Sequence, residues 1–487
     1  MSELSTGFKI LRRIVKTGSM KSLLKYCIEP CEKCGKRPID IHLDKLIGIE
    51  TKKCLKCRAA LTILDIATGI TVPSFALDNT VITDVMRKSY WRKAIISLIK
   101  GILYFGPNKP FATGSPLLIV WNFTNQCNLK CKHCYQNATP SALTNELTTE
   151  EALKLVEQFA EADVTTISFS GGEPLFRRDI YEVAGRAKEL GIYVSIATNG
   201  TLITKEVAQK LTKAAHYAEI SLDGATPQVH DSFRGTPGAW EKTIQGIKNC
   251  VEAGLFTTIA TTATKTNLKE IPQLIELTKQ NQAEGFFCFN FIPTGRATEI
   301  TNIDLTPTER EDLLKLLYEE MIESMIKKGP KIFSAAPQFT RVGLEQSKLI
   351  QKKMHNPGSA PAIPVGHYGN LPGLTSEVAG FIGGCGAGRV YCGLTPDGIL
   401  TPCVFMPIPV GDLRKEKLED IWLNSPILND LRDREKLVGR CGKCSYKYVC
   451  GGCRARAYGY FGNYLYPDPG CARSLEVPLS ENVPSKT

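Results

Sequence analysis

The chain lacks any long hydrophobic run. None of its apolar stretches reaches the ~18 residues that a membrane-spanning helix needs. Its first residues, Met-Ser-Glu-Leu-Ser-Thr-Gly, show none of the basic-then-apolar layout of a secretory leader. An exported or membrane-spanning protein is therefore not expected. A framework of disulfides is not expected either, although 18 cysteines are present. Most of them fall into C-x2-C knuckles or similarly close groups, which are metal spacings, and a reducing cytoplasm is the expected compartment. No residue stands out as a catalytic acid or base. With 487 residues, 43% hydrophobic and 22% charged, the chain is globular and long enough for two or three domains.

The cysteines divide into three blocks. The sharpest is Cys127-Asn-Leu-Lys-Cys131-Lys-His-Cys134-Tyr135. A tight C-x3-C-x2-C loop can turn three thiolates onto one cubane [4Fe-4S] cluster and leave the fourth iron open to a substrate or cofactor. A three-cysteine zinc site is the plainer alternative. Upstream, Cys31-Glu-Lys-Cys34 and Cys54-Leu-Lys-Cys57 are two knuckles with nineteen residues between them. That is the pattern of one tetrahedral four-cysteine site, holding structural zinc or a rubredoxin-like iron, and the sequence does not choose between the metals. Downstream lie Cys385, Cys392, Cys403, Cys441, Cys444, Cys450, Cys453 and Cys471. Cys27 is a spare thiol, and Cys250 and Cys288 sit in apolar patterns that place them in the core. The 60 Lys and Arg against 49 Asp and Glu give +11. Clusters in these blocks would cancel about seven of those charges, which removes the main argument for nucleic acid.

After the cysteine loop come Ser170-Gly171-Gly172-Glu173-Pro174, Thr198-Asn199-Gly200 and Ser221-Leu222-Asp223-Gly224, each following an apolar run that reads as a strand. A glycine pair lets backbone approach a ligand closely, and a carboxylate can accept from an ammonium group. Ordinary turn chemistry is the alternative. In this order the set resembles the radical SAM enzymes. The resemblance implies an open iron chelated by the amino and carboxylate groups of S-adenosylmethionine (SAM). By it, Gly171, Gly172 and Glu173 hold the amino group, Ser221 and Arg234 the carboxylate, Thr198, Asn199 and Gly200 the ribose side, and Tyr135 packs near the adenine. Arg234 reads equally as a surface ion-pair residue. The C-terminal block resembles the SPASM extension of that family through Gly398-x4-Cys403 and Cys441-x2-Cys444-x5-Cys450, although Cys450-Gly-Gly-Cys453 is one residue shorter than the usual gap. The resemblance puts Cys385, Cys392, Cys403 and Cys453 on one auxiliary [4Fe-4S] cluster and Cys441, Cys444, Cys450 and Cys471 on a second. Two zinc ions are the plainer alternative. The implied cofactors are SAM, three [4Fe-4S] clusters and one zinc or mononuclear iron, with a ferredoxin or flavodoxin as low-potential electron donor.

The expected fold class is α/β. Short apolar strands near Leu117, Ile167, Val194, Ile220, Thr258 and Phe289 alternate with helical segments, six units that make a partial (β/α)6 TIM-like barrel with motifs at the C-terminal strand ends. Thr148 and Glu151 form a capping box ahead of Ala152, Leu155, Val156 and Phe159, and Thr306-Pro307-Thr308-Glu309 starts another helix. The expected division is a basic amphipathic segment (1–26), a four-cysteine zinc-ribbon or rubredoxin-like module (27–62) and an amphipathic connector (63–114). The core barrel (115–300), a helix with a Gly/Pro-rich linker or lid (301–384), the auxiliary-cluster domain (385–475) and a disordered tail (476–487) follow.

The implied chemistry is reductive cleavage of SAM to a 5'-deoxyadenosyl radical, hydrogen abstraction from an unactivated carbon, and transfer of the remaining electron to the auxiliary clusters. Two basic amphipathic stretches, Phe8–Lys16 and Tyr90–Phe105, suit a membrane interface or the protein's own barrel. The interface reading makes oxidative C–C bond formation on a membrane lipid the leading expectation, with peripheral contact on the inner membrane face. Side-chain oxidation or decarboxylation of a tetrapyrrole is second and peptide maturation third. An iron-sulfur electron carrier is the non-enzymatic alternative.

Overall fold

The structure is a computed structural model that describes residues 18–74, 79–354, 363–364, 370–371 and 376–473. The stretch Phe8–Lys16, most of the Gly/Pro-rich segment and residues 474–487 lie outside the described residues.

Side chains pointing alternately to the two faces of each strand set the architecture. In β1 (Leu118–Thr124), Ile119, Trp121 and Phe123 are fully buried on one face, while Leu118 and Val120 on the other are only half-buried. The buried faces of β1, β2 (Thr166–Gly171), β3 (Tyr193–Thr198), β4 (Tyr217–Ser221), β5 (Phe256–Ala263) and β6 (Gly285–Asn290) share one core with the covering helices. Trp121 stacks on Phe169 with ring centroids 5.5 Å apart and meets Phe123 edge-on at 5.3 Å, an aromatic knot that removes a large apolar area from water. The opposite, wetter face is the concave interior.

The six expected strands pair in parallel and in sequence order. Two more extend the run. β7 (Lys331–Ser334) adds to β6, and after a short hairpin of β8 (Ile363–Pro364) and β9 (Asn370–Leu371), β10 (Tyr391–Leu394) adds to β1. β11 (Ile399–Thr401) and β12 (Gly411–Asp412) continue antiparallel. The barrel wall therefore borrows a strand from the C-terminal cysteine region. Both expected helix starts are present as complete capping boxes, at Thr148 with Glu151 and at Thr306 with Glu309.

The N-terminal region is helical. Helices Gly18–Ile28, Pro38–Leu46, Leu55–Ser74, Asn79–Met86 and Ser89–Phe105 precede β1, so the four-cysteine module is presented by helix ends and turns, not by the strands of a ribbon. It sits against the N-terminal ends of the barrel strands. Arg37 donates twice to Asp163, at 3.0 and 2.8 Å, Lys93 to the Ala160 carbonyl at 2.7 Å, and Ser89 to the Gly191 carbonyl at 3.0 Å. On this side helix Ser89–Phe105 buries Ser97, Lys100 and Gly101, and a Cβ on Gly101 would lie 2.1 Å from the Ala112 carbonyl oxygen, whereas Ile96, with Ile95, Ile99 and Leu103, packs on Ile28, Ile39, Leu43 and Met86 of the preceding helices. This helix divides its inner face between the barrel and the N-terminal helices, although Trp91 and Tyr104 stay exposed. Among the described residues no helix is long and apolar enough to cross a membrane.

Candidate active site and metal centres

The three cysteines of the sharp motif leave the C-terminal end of β1, where the concave interior opens. Each sulfur receives an N–H: Leu129 N donates to Cys127 at 3.4 Å, Ala138 N to Cys134 at 3.4 Å, and Arg234 Nη1 to Cys131 at 3.7 Å. Such donors are partners for thiolates. Burial, with the neighbouring Glu173, Cys131 and Cys134, pushes the Cys127 thiol up to about 12, so the set would hold thiolate charge only around a cationic centre. Three sulfurs with donors already aimed at them fit an iron-sulfur cluster.

The loop is braced by the motifs that follow it. Gly172 N donates to Thr124 O and Glu173 N to Gln126 O, both at 2.7 Å. A Cβ on Gly171 would stand 2.5 Å from Thr124 O, and one on Gly172 would stand 2.2 Å from Gln126 O. The glycine pair is thus required by close approach of the cluster loop's own backbone. Glu173 is fully buried and accepts from Thr198 Oγ1 at 2.7 Å, Asn199 N at 2.8 Å and Leu175 N at 3.2 Å. Burial pushes its carboxyl up to about 7 against those donors. Asn199 Nδ2 donates to Asn128 of the cysteine loop at 2.9 Å, and Gly200 takes a φ of +77° to turn the chain there. Tyr135 donates to Asn122 Oδ1 at 2.9 Å, lies 3.0 Å from Ser170 Oγ, and packs edge-on to Phe405 at 4.8 Å. Ser221 ends β4 on the interior face.

Arg234 is not the surface residue that its sequence context allowed. It is 9% exposed, with Nη2 2.6 Å from Asp223 Oδ2 and Nη1 on Cys131. Burial would raise the Asp223 carboxyl, but Arg234 and His133 hold it below the usual range. His133 stacks on Phe233 at 4.0 Å with Nε2 3.5 Å from Asp223, and burial pushes its pKa down to about 4, so it is neutral near pH 7. Sequence reasoning assigned no role to Asp223 or His133, although both lie inside the quoted motifs. It also missed Arg296, whose Nε donates to Cys131 O at 2.9 Å and Nη1 to Ala138 O at 2.8 Å. Its place just past the C-terminal end of β6 was the available signal.

The four N-terminal cysteines meet. Their sulfurs all lie within 4.8 Å of one another, with Cys31–Cys54 at 3.8 Å and Cys34–Cys57 at 3.5 Å. Metal–sulfur bonds of about 2.3 Å in a tetrahedron put sulfurs about 3.8 Å apart, so the set fits one mononuclear ion. Tyr26 Oη lies 3.6 Å from both Cys31 and Cys57. Cys250 and Cys288 are buried, as expected, and the spare thiol Cys27 is buried too.

In the C-terminal block, Cys441, Cys444, Cys450 and Cys471 line one small cavity together with Arg341 and Arg473. Its sulfurs are also prepared as acceptors: Tyr446 N donates to Cys444 at 3.4 Å and Gly452 N to Cys450 at 3.3 Å. Cys385, Cys403 and Cys453 share a second apolar cluster, and Tyr391 donates to Cys403 at 3.5 Å. The expected fourth member departs from this set. Tyr391 points into the interior, so its neighbour in β10, Cys392, faces the opposite side of the sheet. There it is fully buried in the main core that includes Trp422 and Leu428. The assignment of Cys392 to this cluster is corrected accordingly, which leaves a three-thiol set.

Comparison with known proteins follows these features. Residues 121–278 match the radical SAM superfamily and residues 385–445 match SPASM, an iron-sulfur cluster-binding domain. The chain is similar to the AdoMet-dependent heme synthase of Methanosarcina barkeri, with 37% identity over 364 residues, 74% of this chain and 97% of that enzyme. It is 29% identical to the pre-heme d1 synthase of Dinoroseobacter shibae, over 75% of this chain and 89% of that one. Among solved structures, Streptococcus suis SuiB bound to its precursor peptide SuiA shares the fold at a TM-score of 0.61 and 18% identity, covering 85% of this chain and 90% of that chain. The four-cysteine module precedes both matched regions.

Proposed function

Because the chain belongs to the radical SAM superfamily, we propose that it oxidises a carboxylate-bearing side chain of a tetrapyrrole with loss of CO2. The observation that carries this reading is the 37% identity across 97% of a heme synthase's length. The concave interior suits a flat, amphipathic macrocycle. One wall carries Ser168, Ser195 and Thr258, and the other carries Phe287, Phe289 and Phe333 at ring separations of 4.5 and 6.0 Å.

Cys127, Cys131 and Cys134 would hold the radical cluster. SAM would lie against Tyr135, Gly171, Gly172, Glu173, Thr198, Asn199, Gly200 and Ser221. Together the cluster and SAM supply a radical able to take hydrogen from an unactivated carbon. The chain's own residues position and shield. Glu173, whose carboxylate form an adjacent ammonium charge favours, would anchor SAM's amino end. Arg234, held between Asp223 and Cys131, would balance thiolate charge. Arg296 and the glycine pair would keep the loop closed against water. A ferredoxin or flavodoxin is the proposed electron source, and the C-terminal centres are the proposed acceptor of the electron released with CO2, which makes the net reaction an oxidation. The lipid reading has no comparable support, since Tyr90–Phe105, one of the two stretches that motivated it, packs Ile95, Ile96, Ile99 and Leu103 on the protein's own N-terminal helices.

The test is anaerobic incubation of cluster-loaded protein with SAM, reductant and propionate-bearing tetrapyrroles, read by mass spectrometry. The expected product is lighter by CO2 and two hydrogens per side chain, forms with 5'-deoxyadenosine, and is absent with Cys131→Ala. No tetrapyrrole turnover, together with a lipid species two hydrogens lighter in expressing cells, would overturn the proposal.

A further inference from the structure

The short knuckle Cys450-Gly451-Gly452-Cys453 joins the two C-terminal centres, since Cys450 lines one and Cys453 the other. Both glycines have positive φ, +67° and +65°. Two guanidinium groups occupy the space that side chains would take: a Cβ on Gly451 would fall 2.6 Å from Arg434 Cζ, and one on Gly452 would fall 2.5 Å from Arg454 Nη2. Arg454 is spoken for, donating to the carbonyls of Tyr464 and Tyr466 at 2.8 and 2.7 Å and to Cys441 Sγ at 3.6 Å.

Arg434 is different. It is 2% exposed, and its Nη2 donates to the Cys385 carbonyl at 2.9 Å while its Nε has no partner. Among the described residues no carboxylate forms an ion pair with it or with buried Arg432 and Arg454, whereas buried Arg310, Arg341 and Arg456 each have one, and Arg432 lies instead over the rings of Phe105 and Trp422 and Arg454 on the Cys441 sulfur. Its guanidinium lies against Gly451, the residue after Cys450, and against the Cys385 carbonyl, so it adjoins ligands of both centres. A buried guanidinium without an anion is strongly unfavourable. Its counter-charge must come from what the cysteines hold, on both sides of the knuckle.

We propose that Arg434 is the shared counter-cation of the two C-terminal iron-sulfur centres, favouring the reduced state of both and so easing acceptance of the substrate's electron. A fixed positive charge stabilises the more negative, reduced form of each centre. The inference rests on cluster occupancy in the proposed function and not on the substrate.

The experiment is an EPR-monitored redox titration of the full chain with all clusters loaded, for wild type, Arg434→Gln and Arg434→Lys, with iron content measured alongside. Arg434→Gln is expected to disfavour reduction of both C-terminal centres by about tenfold each, with the Cys127 loop cluster unmoved. Arg434→Lys, which keeps the charge, is expected to restore most of the shift. Full iron with unmoved centres in Arg434→Gln, a shift in only one centre, or equal iron loss in both variants would overturn the proposal. Wild-type iron below that of the radical cluster plus two further centres would instead contradict the occupancy on which it rests.

Discussion

Glu219 stands in the middle of β4 on the interior face, accepting from Tyr217 at 3.0 Å, while Thr258 donates to the same Tyr217 hydroxyl. Burial pushes its carboxyl up to about 7, well above the ~4.3 of an unfolded chain. The folded state therefore keeps a proton that the unfolded chain releases between those values. Stability should fall as pH rises through that window and level off above it. Glu173, also near 7, acts in the same direction. Glu219→Gln is expected to reduce by roughly half the loss of denaturation midpoint between pH ~5 and pH ~7.5; an unchanged slope would show that the carboxyl ionises freely. Cys392 offers a second test at this scale. Cys392→Ala is expected to keep wild-type iron and cost about 1 kcal/mol of packing, whereas Cys403→Ala should lose the iron of one auxiliary centre. Equal iron loss in the two variants would contradict the orientation of β10. Motif spacing made the ligand sets largely legible, because loops of fixed length constrain which sulfurs can meet. It missed the inversion at Cys392 because that depends on strand parity, and the strand is short.

The N-terminal helices show what pattern reading leaves open at the scale of elements. The knuckle spacing identified the four-cysteine set but not its scaffold, since a tetrahedral ion needs only converging sulfurs and accepts helix ends as readily as strands. Amphipathicity in Tyr90–Phe105 likewise revealed an apolar face without saying what covers it. The cover for Ile95, Ile96, Ile99 and Leu103 comes from Ile28, Ile39, Leu43 and Met86 of the preceding helices, and Ala112 next to β1 meets the helix at Gly101, contacts that no local periodicity encodes. The four-cysteine site at Cys31, Cys34, Cys54 and Cys57 lies with the helices against the N-terminal ends of the strands, away from the cysteine loop at their C-terminal ends. Cys57→Ala or chelation is accordingly expected to release the ion and expose helix Leu55–Ser74 to trypsin, while substrate-free cleavage of SAM continues. Loss of SAM cleavage in step with the metal would instead make this ion an electron relay. Arg37→Met, which removes the Nη1 contact to both Asp163 oxygens and the ion pair to Asp40, should cost about 1.5–3 kcal/mol in chemical denaturation, consistent with a charged hydrogen bond.

At the scale of the whole molecule, the barrel and the cluster domain behave as one body because charges buried between them close on each other. Asp304, past the C-terminal end of β6, is 2.6 Å from Arg310 and 2.8 Å from Arg456, and it accepts from Tyr460 at 2.6 Å. Arg456 also reaches Asp468 at 3.2 Å, whose carboxylate accepts from Cys453 N at 2.7 Å and Gln338 at 2.7 Å. These partners lie 152 and 130 positions apart in the chain, which is why the sequence shows them only as isolated charges. Asp304→Asn would leave Arg310 without a carboxylate and Arg456 with one, at an expected cost of about 3–5 kcal/mol. Because Arg456 and Cys453 share Asp468, the damage should pass to the auxiliary centres before it reaches the Cys127 loop. Calorimetry is expected to resolve an earlier transition for the C-terminal region, with partial iron loss and retained SAM cleavage. A single transition at the wild-type midpoint would mean that the shared strand β10, and not the buried charges, holds the two halves together.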